Sequence, residues 1–422
     1  MIAHVVAAAR EVTETAPVVV YGHGGERLLA ALEGSELRFV EQAEQLGTGH
    51  AVMQAVAAFP AGGRVLVLYG DVPLLTPTTL RRLLEDTPVE GVGVLTVRMA
   101  DPTGYGRILR DEAGAVAGIV EQKDASEAQR AIDEINTGIM VLPADPLRSW
   151  LAALGNDNAQ GEYYLTDVVA AARASGVPVI GVEAASESEV AGVNDRIQLS
   201  ALERAFQRRG AEALMRAGAT VADPERIDVR GELTVESDAF IDVDCVFEGR
   251  VHLGAGARVG PHCVLRDVVI GAGTEVLEFS SVTGAEVGDQ ARIGPFARLR
   301  PETVLADRTH VGNFVELKKV SLGAGSKVNH LSYVGDASVG VDVNIGAGTI
   351  TCNYDGAYKH QTTIEDDVFI GSDTQLVAPV TVGCGATIGA GTTVTRDVPA
   401  GTLAVGRARQ TTIEGWSRPR KK

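Results

Sequence analysis

The sequence predicts two folds in series: an alternating α/β domain of Rossmann-like type, then a parallel β-helix of hexapeptide repeats. Three observations predict this. Short, fully apolar runs at residues 17–21 (PVVVY) and 64–69 (RVLVLY) alternate with helical patterns, as buried strands of an α/β sheet do. Val287, Ile293, Leu299, Leu305, Val311 and Leu317 recur at a strict spacing of six, as do Ile364, Ile370, Leu376, Val382, Ile388 and Val394. Between the halves, residues 195–218 carry apolar positions at helical spacing.

Residues 1–194 form the predicted α/β domain, with helices expected over 49–59 and 78–84 of a doubly wound parallel sheet. Residues 195–222 form a linker helix, in which Ile197, Leu199, Leu202, Phe206, Ala213 and Leu214 make one face and Gly218 and Pro224 end the pattern. Residues 223–422 form the β-helix and a C-terminal tail. A period of six fits neither a helix face nor one long strand, but it fits a chain that turns a corner every six residues and stacks on itself. Glycine often follows the aliphatic, as in Ile345-Gly346 and Ile388-Gly389, where a small residue lets the corner close. The hexads are expected from about Leu233 to Ala400 and break once, at residues 352–360 (CNYDGAYKH), which must project as a loop.

Composition excludes several classes of function. A net charge of −17 over 422 residues argues against nucleic-acid binding, which needs a basic footprint. No apolar run is long enough for a membrane span, and no export leader opens the chain. The four cysteines share no metal-type spacing, so a reducing, cytoplasmic setting is expected.

The candidate chemical groups divide between the two parts. Residues 42–50 (QAEQLGTGH) form a glycine-bearing turn into a helix, whose free N–H groups suit a base carbonyl or phosphate; an ordinary loop-to-helix turn has the same pattern. Tyr69-Gly70-Asp71 places a carboxylate at the end of an apolar strand, where α/β sheets bind ligands and where an Asp can hold Mg²⁺ or cap the next helix. In the repeats, Arg300, Lys318, His330 and Tyr333 lie within two coils' length. Histidine suits proton removal near neutrality, although most solenoid histidines are merely exposed; two nearby cations favour a phosphorylated substrate.

Taken in order, residues 42–50, 101–107 (DPTGYGR), 310–319 (HVGNFVELKK), 344–356 (NIGAGTITCNYDG) and 371–380 (GSDTQLVAPV) resemble the GlmU family. Its members are bacterial N-acetylglucosamine-1-phosphate uridyltransferases and glucosamine-1-phosphate acetyltransferases. The resemblance spans essentially the whole chain. It implies a nucleotidyltransferase domain and a left-handed β-helix that assembles as a homotrimer. Acetyl transfer from acetyl-CoA to glucosamine 1-phosphate is implied, then coupling of N-acetylglucosamine 1-phosphate to UTP, which gives the cell-wall precursor UDP-N-acetylglucosamine and pyrophosphate. By resemblance His330 is the base, and Arg300, Lys318, Tyr333, Asn344 and Lys359 bind the sugar phosphate. Ala347 supplies an oxyanion N–H, and with Asn353, Tyr354, Ser372, Ala390 and Arg407 it meets acetyl-CoA in a site between subunits. Gln42, Gly47 and Thr48 match uracil contacts. Tyr69, Gly70, Asp71, Gly106, Glu121, Asn136 and Asn194 match contacts to the nucleotide and its sugar, with Asp71 and Asn194 as Mg²⁺ ligands.

The start departs from the family pattern. The strand and glycine-rich loop that open its members, with an Arg and a Lys, have no counterpart here, so the α/β domain is expected to be N-terminally truncated and its uridylyl transfer impaired. Three other functions fit parts of the sequence. They are a nucleotidyltransferase with a structural solenoid, a zinc enzyme using His252, His262, His310 and His330, and a non-enzymatic scaffold. An acetyltransferase without uridylyl transfer is a further alternative.

Overall fold

The computed structural model describes residues 1–420, which divide into two compact units between Ala205 and Phe206. In the first unit, eight strands are β1 (Val18–Tyr21), β2 (Arg38–Glu41), β3 (Arg64–Val67), β4 (Val92–Arg98), β5 (Gly106–Arg110), β6 (Val116–Val120), β7 (Glu134–Pro143) and β8 (Val179–Glu183). The main sheet runs β6-β5-β7-β4-β8, with β3 on β7, while β1 and β2 pair parallel in a sheet of their own. The expected doubly wound parallel sheet is corrected here to a mixed one. β3, read as a parallel strand, runs antiparallel to β7, as do β4 and β5; within the main sheet only β4 and β8 run parallel. An apolar run reports burial, not strand direction, which is fixed by partners far along the chain.

Alternation along β4 and β7 builds a core on each face. Val92, Val94, Met140 and Leu142 pack against Leu147, Trp150, Leu151, Val168 and Val169, from the helices Ala144–Ala152 and Asp167–Ala174. Leu95, Val97, Ile139 and Val141 pack against Leu80 and Leu83, from the helix Pro77–Asp86. That helix starts on Thr76, whose hydroxyl accepts the Thr79 N–H, and has Pro at its first position. A 21-residue helix, Arg196–Arg216, contains the boundary between the units; Leu202 and Leu214 are buried along it, while Ile197 and Leu199 are exposed.

The second unit is a parallel β-helix. Its sheets, of 14 and 11 strands, contain only parallel pairs, as in the left-handed hexapeptide form. Ile227 pairs with Cys245, Glu316 with Tyr333 and Tyr333 with Ile350, so one coil takes 17 or 18 residues. Parallel stacking begins at Thr220–Val221, earlier than the hexads suggest, and continues to Leu403–Ala404. The repeated aliphatics from Val287 to Leu317 and from Ile364 to Val394 are all buried. At the break, Ile350 pairs with Gln375, 25 residues on, so residues 352–360 do leave the column.

The corners close differently from expectation. Sixteen non-glycine residues with positive φ, from Asp238 to Asp373, make left-handed turns. The glycine after an aliphatic serves close approach instead: a Cβ on Gly371 would lie 2.5 Å from the Ala390 nitrogen of the next coil. At one corner His262, Phe279, Phe296 and Phe314 stack, with successive ring centroids 4.9, 4.9 and 5.3 Å apart.

Candidate functional site

Each unit carries a group of the predicted residues. In the first, residues 42–50 dock on the segment Tyr163–Leu165: the Gly49 N–H donates to Tyr163 O and the Tyr163 N–H to Leu46 O, both at 2.8 Å. Gly47 has φ +105°, and a Cβ there would lie 2.8 Å from Tyr163 O, so only glycine fits. Thr48 starts the helix Thr48–Gln54 and bonds the Tyr69 phenol, whose pKa burial pushes up to about 12. The Tyr69 ring lies over Gly138, where a Cβ would come within 2.5 Å of it. Asn136 accepts the Gly138 N–H at 3.0 Å and thereby holds that turn.

Gly106 faces Glu121: a Cβ on Gly106 would stand 3.3 Å from a Glu121 carboxylate oxygen. The Thr166 hydroxyl donates to Glu121 at 3.0 Å. Burial raises the Glu121 pKa, Thr166 opposes the shift, and Asp167 and Asp124 add to it. Residues 161–167 (GEYYLTD) received no role from the sequence alone. Here they floor the turn at residues 42–50 and orient Glu121.

The two residues before Asn194 are held on Asp71: the Val193 N–H donates to Asp71 O at 3.0 Å, and Gly192 lies against the Asp71 carboxylate. Gly70 is exposed beside them. One carboxylate and one amide oxygen are hard oxygen donors, suited to Mg²⁺ that takes its remaining ligands from phosphate and water.

In the second unit, Arg300 bonds Glu316 at 2.9 Å, and Lys318 lies against Lys359. The Lys359 ammonium lowers the Lys318 pKa, with Arg300 adding and Asp336 opposing. Three cations in such proximity favour an anion between them. Asn353, 8% exposed, donates to the Tyr333 hydroxyl at 3.3 Å and also to Asp336. Asn344 lies in the strand Asn344–Ile345, between Lys327 and Phe369, and bonds none of the other predicted sugar-phosphate ligands. Tyr354 is exposed and bonds Gly356 O at 2.6 Å.

His330 lies one coil from Asn313, its Nδ1 at 3.0 Å from Asn313 Oδ1. Ala347, Ser372 and Ala390 occupy one corner on successive coils, after Ile345, Ile370 and Ile388. Among the described residues none of their N–H groups finds an acceptor, whereas the equivalent Ala272 and Val341 N–H groups at another corner are capped by Asp289 and Asp366. Arg407 donates to Ala390 O at 3.0 Å.

The zinc alternative loses its ligand set: among the described residues no three His, Cys, Asp or Glu side chains converge. His262 stacks on Phe279 instead, and His252 bonds Thr234.

The MobA-like NTP transferase domain family matches residues 1–221. The C-terminal domain family of GMPPB matches 229–322, and the hexapeptide repeat of succinyl-transferase matches 361–396. A bifunctional protein GlmU from Cupriavidus pinatubonensis is 58% identical over 422 residues, covering all of this chain and 93% of its own length. The chain belongs to the GlmU family. A GlmU of Bordetella petrii is 60% identical, with 93% of its length covered, and one of Ralstonia nicotianae is 57% identical, with 92% covered. The expected N-terminal truncation finds no support: the transferase domain matches from residue 1, and GlmU relatives align over nearly their whole length. No helix among the described residues is long and apolar enough to cross a membrane.

Proposed function

We propose that this GlmU-family chain carries out both reactions of its relatives, as a cytoplasmic homotrimer acting on small molecules. The carrying observation is the cluster of Arg300, Lys318 and Lys359, which calls for a phosphate, on the same β-helix as a histidine oriented by Asn313. Glucosamine 1-phosphate binds through its phosphate to the three cations, with Tyr333 and Asn344 on the sugar. His330 Nε2 takes the proton from the amine as nitrogen attacks the acetyl-CoA thioester. The Ala347 N–H, without an acceptor among the described residues, receives the tetrahedral oxyanion, a contribution worth about 10²–10³ in rate. Collapse breaks the C–S bond and releases coenzyme A, which Asn353, Tyr354, Ser372, Ala390 and Arg407 hold against the corner.

In the α/β unit, Gln42, Gly47 and Thr48 hold the base of UTP. Gly106, Glu121 and Asn136 position N-acetylglucosamine 1-phosphate, whose phosphate oxygen attacks the α-phosphorus as pyrophosphate leaves. Asp71 and Asn194 would hold Mg²⁺, which when bound supplies charge neutralisation on the phosphates. Assays of coenzyme A release and of pyrophosphate release on the chain test the reading. Acetyl transfer lost in H330A, with pyrophosphate release intact, supports it. Acetyl transfer unaffected by H330A removes His330 as the base, and acetyl transfer absent from the unaltered chain points to a structural solenoid instead.

A further inference from the structure

We infer that His50 is a specificity-determining positioning residue for the nucleotide: it and the Gly47 carbonyl engage both protons of the Gln42 amide, so Gln42 offers a base only its oxygen. The inference rests on the proposed role of Gln42 at the base.

Gln42 Nε2 lies 3.1 Å from Gly47 O and 3.1 Å from His50 Nδ1. A carbonyl oxygen only accepts, so the amide end facing Gly47 is the NH₂, whatever the positions of oxygen and nitrogen alone would allow. An amide NH₂ accepts nothing, so His50 Nδ1 is the acceptor and the ring proton sits on Nε2. That proton faces the Gln54 amide at 3.0 Å and calls for its oxygen there, in preference to the longer 3.3 Å contact between the Gln54 nitrogen and His50 O.

The anchor is rigid. The backbone on either side of Gly47 is bonded to Tyr163 through Leu46 and Gly49, and Gly47 itself tolerates no side chain. The Gln42 backbone is held as well, its N–H on Tyr21 O at 2.7 Å and its carbonyl accepting from Gln45 at 3.0 Å. Gln42 is 9% exposed, yet its Oε1 accepts no hydrogen bond among the described residues and is not among the buried atoms without a partner. The oxygen therefore opens outward.

A fixed acceptor matches the N3–H of uracil. Cytosine presents a lone pair at N3, which would oppose the Gln42 oxygen, and a site built around one hydrogen bond rejects an analogue that lacks it. Without His50, the amide can turn and present N–H to cytosine.

The test is calorimetric affinity for UTP and CTP, with Mg²⁺, of the unaltered chain and of Q42A, H50A and H50Q. Preference for UTP is expected to fall about tenfold or more in H50A, through weaker UTP and stronger CTP binding. H50Q, whose amide oxygen can accept from Gln42, should retain it. A purely structural role for His50 would weaken both nucleotides alike and leave the ratio unchanged, which overturns the inference. Collapse of the ratio in Q42A but not in H50A also overturns it, while leaving the reading of Gln42 intact. A ratio indifferent to Q42A, or no UTP binding by the unaltered chain, removes that reading and the inference with it. Should H50A fail to fold, ring ¹⁵N spectra of the unaltered chain decide, with His50 assigned by its absence in H50Q: an Nε2–H tautomer supports the inference and an Nδ1–H tautomer overturns it.

Discussion

His330 Nδ1 lies 3.0 Å from Asn313 Oδ1, on the neighbouring coil. A carboxamide oxygen can only accept, so the imidazole proton sits on Nδ1 and Nε2 keeps the lone pair that a base needs. N313A should lower kcat for acetyl transfer about tenfold or more, with the affinity for acetyl-CoA unchanged; H330A should cost about 10²–10⁴. Coenzyme A release measured beside acetyl-CoA binding separates the two effects.

Lys318 and Lys359 repel each other until an anion lies between them. K359A should raise KM for glucosamine 1-phosphate about tenfold or more, by removing a charge-assisted contact, and should let the Lys318 pKa rise back. Pyrophosphate release, which belongs to the other unit, should not change.

Glu121 has a raised pKa, chiefly through burial. The folded chain therefore keeps a proton that the unfolded chain releases. The stability associated with that proton is present at low pH and is lost as pH rises through the folded pKa. E121Q should melt higher than the parent at pH 7, the difference shrinking as pH falls from the raised folded pKa towards about 4.3, the ordinary glutamate value, and vanishing below it. Uridylyl transfer by E121Q should fall, so stability and activity move in opposite directions.

Cys245 and Cys263 are fully buried in the solenoid, and burial pushes their thiols up to about 12 and about 11. Cys384 is exposed. A thiol reagent should modify Cys384 readily in the native protein but reach Cys245 and Cys263 only after denaturation, which peptide mass mapping reads directly.

Gly371 and Gly391 separate two uses of glycine. A Cβ on Gly371 meets the backbone of the next coil, 2.5 Å from the Ala390 nitrogen, whereas Gly391 has φ +72° and open space around it. G371A should cost about 1–3 kcal/mol or more by overpacking. G391A, which meets only the left-handed backbone penalty, should cost about 1 kcal/mol. Chemical denaturation of the two variants compares them.

Much of this was legible in the residues. The six-residue spacing gave the solenoid and its buried positions, because one aliphatic per flat side must point inward. The break at residues 352–360 gave the projecting loop. The hexads missed the first coil, where Thr220-Val221 and Ile227 depart from the spacing. Apolar runs located β1 and β3 but not the antiparallel pairing of β3, because that choice belongs to β7, some seventy residues away. The family resemblance pointed to His330, Lys318 and Glu121. Asn313 and His50 lie inside the matched strings 310–319 and 42–50 but carried no role there, and Asp336 and Thr166 lie outside every matched string. Each of these acts through a neighbour brought close by stacking or docking, which its own flank does not show.

By itself the sequence determined the family and the two-part architecture, and nominated the candidate reacting groups, because periodicity and side-chain chemistry are local properties of the chain. Only the tertiary structure decided which nitrogen of His330 and of His50 carries the proton. It also decided which N–H groups at a corner lack an acceptor and which cations meet, because hydrogen bonds and charge interactions depend on distances between residues that the chain order does not set.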